Sequence, residues 1–198
     1  MLHHGRGTDE RDLLPLADAL DPARSLLVVS VRGPLRIAGS PGYHWYLVPR
    51  VGDPDPQTFR AAFVALAELH DELWARSGKG PEQTVLAGFS MGAVMSYALG
   101  LAHERPPVAG ILAFSGFISA VSGFAPSFAE HTETRAFVAH GDRDPVIDVS
   151  FARAARDMLR AGGLEVSYHE SAVGHQLDPA SVAAAAGWLG PTLNARHD

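Results

Sequence analysis

Residues 84–97 read TVLAGFSMGAVMSY. Apolar and β-branched residues run up to a serine set between two glycines, and good helix formers follow. That order describes a buried strand, a sharp turn and a helix. GFSMG at 88–92 matches G-x-S-x-G. In that motif the glycines let the backbone turn tightly, because a Cβ at either would collide with neighbouring backbone. The serine hydroxyl is left standing above the end of the strand. A glycine-rich turn that merely happens to hold a serine would look the same over five residues, so the rest of the chain has to decide.

Outward from this stretch, short apolar runs recur at SLLVVSV (25–31), AGILAFS (109–115), RAFVAHG (135–141) and LEVSYHE (164–170). Each fits a strand buried on both faces. Helical segments alternate with them. Asp55-Pro56 opens a helix that Gly78 closes, with Phe59, Phe63, Leu66, Leu69 and Leu73 on one stripe. Asp148 caps a helix running to Gly162, with Phe151, Ala155, Met158 and Leu159 inward, and Asp178-Pro179 opens a last helix ending near Gly190. The alternation predicts an α/β fold with a mainly parallel central sheet and helices on both faces. Residues 1–198 are expected to form one domain, with no repeat or linker. The longest irregular stretch, 32–55, is long enough to be functional.

Composition narrows the chemistry. A net charge of -6 and the lack of any Lys/Arg cluster offer nucleic acid no surface. Lys79 is the only lysine. The chain has no cysteine, which excludes disulfides, thiolate catalysis and Cys-ligated metals. MLHHGRGTDE lacks the features of a signal peptide, and no apolar run approaches a bilayer span. A cytoplasmic location is the default expectation.

A serine hydroxyl needs a base to take its proton, and the base needs an orienting carboxylate. On this architecture the order along the chain is Ser, Asp/Glu, His, each after a strand. Downstream of Ser90, RAFVAHG runs into DRDPVID and LEVSYHE into SAVGH. His175 is the histidine whose position follows from topology; His103, His131 and His197 read as surface residues and His70 as packing or solvated. Asp142, Asp144 and Asp148 share one loop, with Asp148 already used as a cap; Asp144 is preferred over Asp142. An oxyanion would be held by the N–H of Met91, at a helix N-terminus, and by a donor from the glycine-rich HHGRGTDERDLLPLA (3–17), where Arg6 lies between two glycines. A plain helix-capping turn explains that segment equally well.

Together HGRGTDERDLLPLA, VRGPLRIAGSPGYHWY, LAGFSMGA, FSGFI, HGDRDPVI and VGH resemble, in order and spacing, the phospholipase/carboxylesterase family. These are small α/β-hydrolases without a large lid, including bacterial carboxylesterases and acyl-protein thioesterases. The resemblance spans nearly the whole chain. It implies a serine hydrolase of short- to medium-chain acyl or aryl esters, with no cofactor and no metal. It implies Ser90 as nucleophile, Asp144 as acid, His175 as base, and Arg6 and Met91 as backbone oxyanion donors. A small-molecule ester is then the expected partner, with a homodimer as the only assembly kept open. A thioesterase, or a non-catalytic ligand-binding relative, is the alternative.

Two features depart from the family. Met91 stands where relatives usually carry Gln, which makes the pocket wall more apolar. Only Met1–His3 precede the HG loop, so the central strand expected there is either abbreviated or belongs to a longer natural chain. For the substrate pocket, Tyr43 and Trp45 in PGYHWY and Phe117 and Ile118 after the strand ending at Ser115 are candidates, with core packing an equal rival. Arg36 and Arg50 are weaker candidates for contacting a substrate carboxylate.

Overall fold

The computed structural model describes residues 1–122 and 124–194. In chain order the elements are β1 (Leu2–His3), α1 (Leu14–Leu20), β2 (Ser30–Val31), β3 (Leu35–Arg36), β4 (Tyr43–His44), α2 (Pro56–Ser77), β5 (Val85–Phe89), α3 (Met91–Leu101), β6 (Gly110–Phe114), β7 (Arg135–Gly141), α4 (Val149–Ala161), β8 (Val166–Ser171) and α5 (Pro179–Asn194). Six strands form one sheet in the order β2-β1-β5-β6-β7-β8, every neighbouring pair parallel. β3 and β4 make a separate antiparallel hairpin.

Side chains alternate across the sheet as the two-residue period requires. Leu86, Ile111, Ala113, Ala136 and Val138 face a core shared with α2, α3 and α4. Ala87, Leu112, Phe114, Phe137 and Ala139 face a second core closed by α1 and α5. α3 is buried along its whole length, which explains why its sequence is apolar on every side. α2 begins where the Asp55 side chain accepts from the Thr58 N–H and ends at Gly78 in the left-handed region (φ 67°). No helix among the described residues is long and apolar enough to cross a membrane.

Four sequence expectations are corrected. The run 25–31 is a strand only over Ser30–Val31, because β1 offers just two residues to pair with, Leu2 against Ser30 and His3 against Val31. Leu26, Leu27 and Val28 therefore lie exposed, Leu27 at 68 %. α5 does not stop at Gly190 but runs through Pro191 to Asn194, where buried Leu189 and Thr192 keep it on the sheet. Met158 is exposed, the inward stripe of α4 being Ala152, Ala155 and Leu159. His131 is fully buried, its Nε2–H donating to the Ala102 carbonyl at 2.9 Å. His197 lies outside the described residues.

Candidate active site

The turn between β5 and α3 puts Ser90 at φ 55°, ψ -120°, a strained conformation for a non-glycine residue. The surroundings hold it there. The Ser90 N–H donates to the Phe114 carbonyl at 2.8 Å. A Cβ on Gly88 would lie 2.4 Å from the Gly92 backbone, and one on Gly92 would lie 1.9 Å from the His3 carbonyl oxygen. Both positions require glycine because α3 crosses directly over β5 and β1.

His175 follows β8, and its Nε2 lies 2.9 Å from the Ser90 hydroxyl, which can donate to it. On the other edge of the ring, Nδ1–H donates to Asp144 Oδ2 at 2.6 Å. The remaining carboxylate oxygen, Oδ1, accepts the backbone N–H groups of Val146 (2.8 Å) and Ile147 (2.9 Å). Burial by itself would raise the Asp144 pKa. The hydrogen bonds from His175, Ile147 and Val146, with the charge on His175, outweigh it and hold the carboxyl below its usual range. Asp142 is exposed, nearest to Arg143, and Asp148 caps α4 by accepting from the Ser150 N–H. The structure thus brings Asp144 to the histidine and leaves its two neighbours elsewhere.

Arg6 and Met91 line the same cavity as Ser90 and His175. Met91 is the first residue of α3, so its N–H has no intrahelical acceptor. Among the described residues the Arg6 N–H donates to no backbone or side-chain acceptor. The loop carrying Arg6 is braced from three sides. Gly7 N–H donates to the Tyr43 carbonyl and Tyr43 N–H to the Thr8 carbonyl, each at 2.8 Å. The buried His4 ring accepts the Gly33 N–H at Nε2 (2.9 Å), which places its proton on Nδ1, facing the Gly5 carbonyl at 2.7 Å. The Trp45 indole N–H donates to the His4 carbonyl at 2.8 Å, and the Trp45 N–H to Met91 Sδ at 3.3 Å.

The cavity beside Ser90 has a volume of about 400 Å³ and is lined mainly by Tyr46, Val48, Val51, Phe117, Val146 and Ile147. Of the four sequence candidates for the pocket, only Phe117 is among its lining residues. Trp45 is in the core, bracing the Arg6 loop. Tyr43 stacks under Arg32 and Arg36. Ile118 packs against the core. The missed residues are Val48, Val51 and Pro54, from the second half of the long 32–55 stretch, and Val146 and Ile147, which follow Asp144. Their signal in the sequence was apolar residues within a loop, which by itself does not separate a pocket wall from an anchor.

A parallel sheet wrapped by helices, with a strained serine turn at the carboxyl ends of the strands, defines an α/β-hydrolase. The chain belongs to the phospholipase/carboxylesterase family, whose model matches residues 4–192. It is 30% identical to Esterase YpfH of Escherichia coli over 186 residues, 92% of this chain and 77% of that one. With acyl-protein thioesterase 1 of Neurospora crassa it shares 35% identity over 95 residues, 46% of this chain and 38% of that one. Among solved structures, the Bacillus cereus carboxylesterase superposes with a TM-score of 0.82 at 25% identity, over 96% of this chain and 86% of the other. The protein is a hydrolase of carboxylesterase or thioesterase type.

Proposed function

We propose that this chain is a serine carboxylesterase acting on short- to medium-chain acyl or aryl esters through an acyl-enzyme. The observation that carries the reading is the unbroken run of hydrogen bonds from Asp144 through His175 to Ser90, at 2.6 and 2.9 Å. In the first half-reaction Ser90 Oγ bonds to the ester carbonyl carbon as its proton passes to His175 Nε2. The carbonyl oxygen becomes the oxyanion, held by the N–H groups of Arg6 and Met91. His175 then gives its proton to the leaving alkoxide as the ester C–O bond breaks. Water repeats the sequence on the acyl-enzyme, releasing acid and free Ser90. Asp144 keeps the ring in the Nδ1–H tautomer and stabilises the imidazolium. The apolar lining supports a modest acyl or aryl group rather than a charged one; Arg50 at its rim is held by Asp53 at 3.2 Å.

Ser90→Ala, assayed against a panel of p-nitrophenyl acyl and aryl esters, is expected to lose turnover by several orders of magnitude with its fold intact. Covalent labelling of the wild type by a fluorophosphonate, absent in the variant, would exclude a non-catalytic binding role. The thioesterase reading rests on the likeness to acyl-protein thioesterases, which for the Neurospora crassa protein spans less than half of either chain. Higher kcat/KM on acyl-CoA than on the matching oxygen ester would favour it.

A further inference from the structure

His140 is the penultimate residue of β7, four positions before Asp144, and its side chain is fully buried. Its Nε2 lies 2.8 Å from the Ile147 carbonyl oxygen and 3.3 Å from Asp144 Oδ2. Both neighbours are acceptors only, so the proton belongs on Nε2. Nδ1 is buried with no hydrogen-bond partner among the described residues, consistent with a bare ring nitrogen rather than an N–H. That N–H donates to the carbonyl at the far end of the Asp144 turn, and its positive edge lies 3.3 Å from the carboxylate oxygen that meets His175. We propose that His140 is a positioning residue for the Asp144–His175 pair. Its N–H, donated to the Ile147 carbonyl, closes the 144–147 turn against β7 and lays the positive edge of the ring beside Oδ2, which sets the rotation of the Asp144 carboxylate. This rests on the reading of Ser90, His175 and Asp144 above.

The geometry explains why a tether is needed there. Val146 and Ile147 N–H both bind Oδ1 and His175 Nδ1–H binds Oδ2, so the His140 N–H beside Oδ2 adds a restraint on the side that otherwise rests on His175. A histidine also ties the turn down without placing an obligate cation such as Lys or Arg on the carboxylate, where it would compete for the charge that steadies the imidazolium. The titratable groups around the ring are Asp144 and His175 in the loops, Asp148 at the start of α4, and Glu170, its register partner on β8. Glu170 is held by Arg153 at 2.7 Å.

The test compares His140→Gln, whose terminal NH2 reaches the Nε2 position, with His140→Phe, which fills the space without a donor. The readouts are kcat and KM on a p-nitrophenyl ester, and the downfield proton resonance of the His175 Nδ1–H bound to Asp144. In His140→Phe, kcat is expected to fall on the order of 10- to 100-fold at constant KM, the scale of a small misplacement of reacting groups, and the resonance to broaden or move upfield. His140→Gln is expected to recover most of both. A folded His140→Phe with wild-type kcat and an unmoved resonance would overturn the proposal. Should that variant fail to fold, His140→Asn takes its place, since its shorter amide reaches the Nδ1 position. Equal kcat for Asn and Gln would then overturn it. Turnover retained in Ser90→Ala would instead remove the reading of the site itself, and this proposal with it.

Discussion

Asp144→Asn changes a single atom in the proposed relay, and its consequence can be worked from the contacts. The carboxylate faces donors only: Val146 and Ile147 N–H on Oδ1 and His175 Nδ1–H on Oδ2, with the His140 Nε2–H edge 3.3 Å from Oδ2. An amide supplies one acceptor oxygen and one NH2. Set at Oδ1, the NH2 would oppose two backbone N–H groups that cannot turn away. Set at Oδ2, it opposes His175, which can move its proton to the other nitrogen, and meets the His140 edge only at a looser 3.3 Å. The amide oxygen is therefore expected at the Oδ1 position, with His175 driven to its Nε2–H tautomer. That ring points a proton at Ser90 and has no lone pair to receive one. The expected loss is on the order of 10⁴-fold in kcat, about 5.5 kcal/mol of transition-state stabilisation. The two backbone hydrogen bonds to Oδ1 survive unchanged, so the thermal midpoint should move by only a few degrees. The assay is steady-state hydrolysis of a p-nitrophenyl ester near neutral pH, with a melt in parallel. A folded variant within tenfold of wild-type kcat would refute the role given to Asp144.

Ser90→Gly relieves the positive φ (55°) at the turn and should raise the melting point by about 2–4 °C, roughly 1 kcal/mol, while abolishing turnover. An unchanged or lower midpoint would show that the turn is not strained. Gly92→Ala drives a Cβ to within 1.9 Å of the His3 carbonyl oxygen and should destabilise by about 3 kcal/mol. Gly187→Ala at an exposed position of α5, with nothing within 4 Å, should instead stabilise by about 0.5–1 kcal/mol; chemical denaturation of the pair separates the two. His70 is held at a pKa of about 3, chiefly by burial, and buried His3 well below its usual value, again chiefly by burial. Both rings stay neutral in the fold but charge in the unfolded chain below about pH 6.5, so stability should fall as pH drops from 6.5, by on the order of 4 kcal/mol at pH 5. His70→Gln should roughly halve that slope in urea titrations, and an unaltered slope would count against the burial account.

The strands and helices that carry the site were readable because their signals are local. Val85–Phe89, Gly110–Phe114 and Arg135–Gly141 are continuous apolar runs, and Asp55, Asp148 and Gly78 sit at the ends of helices as caps. Residues 25–29 misled because an apolar run says nothing about whether a neighbour exists to pair with, and β1 supplies only two residues. The pocket misled in the same way. Trp45 and Tyr43 are aromatic residues in a long loop whether they face a substrate or, as here, brace the loop beside Ser90.

The sequence by itself determined the parallel α/β order, the serine turn that follows from two glycines against a strand, and the chain positions at which an acid and a histidine could stand. Tertiary structure alone decided which aspartate meets His175, which apolar residues wall the cavity, and that His140 ties down the far end of the Asp144 turn through the Ile147 carbonyl. The reason is physical. Periodicity, caps and turn residues act between neighbours in the chain, whereas a hydrogen bond of 2.6 Å between residues 31 apart depends on strand register and loop rotation, which only the packed molecule sets.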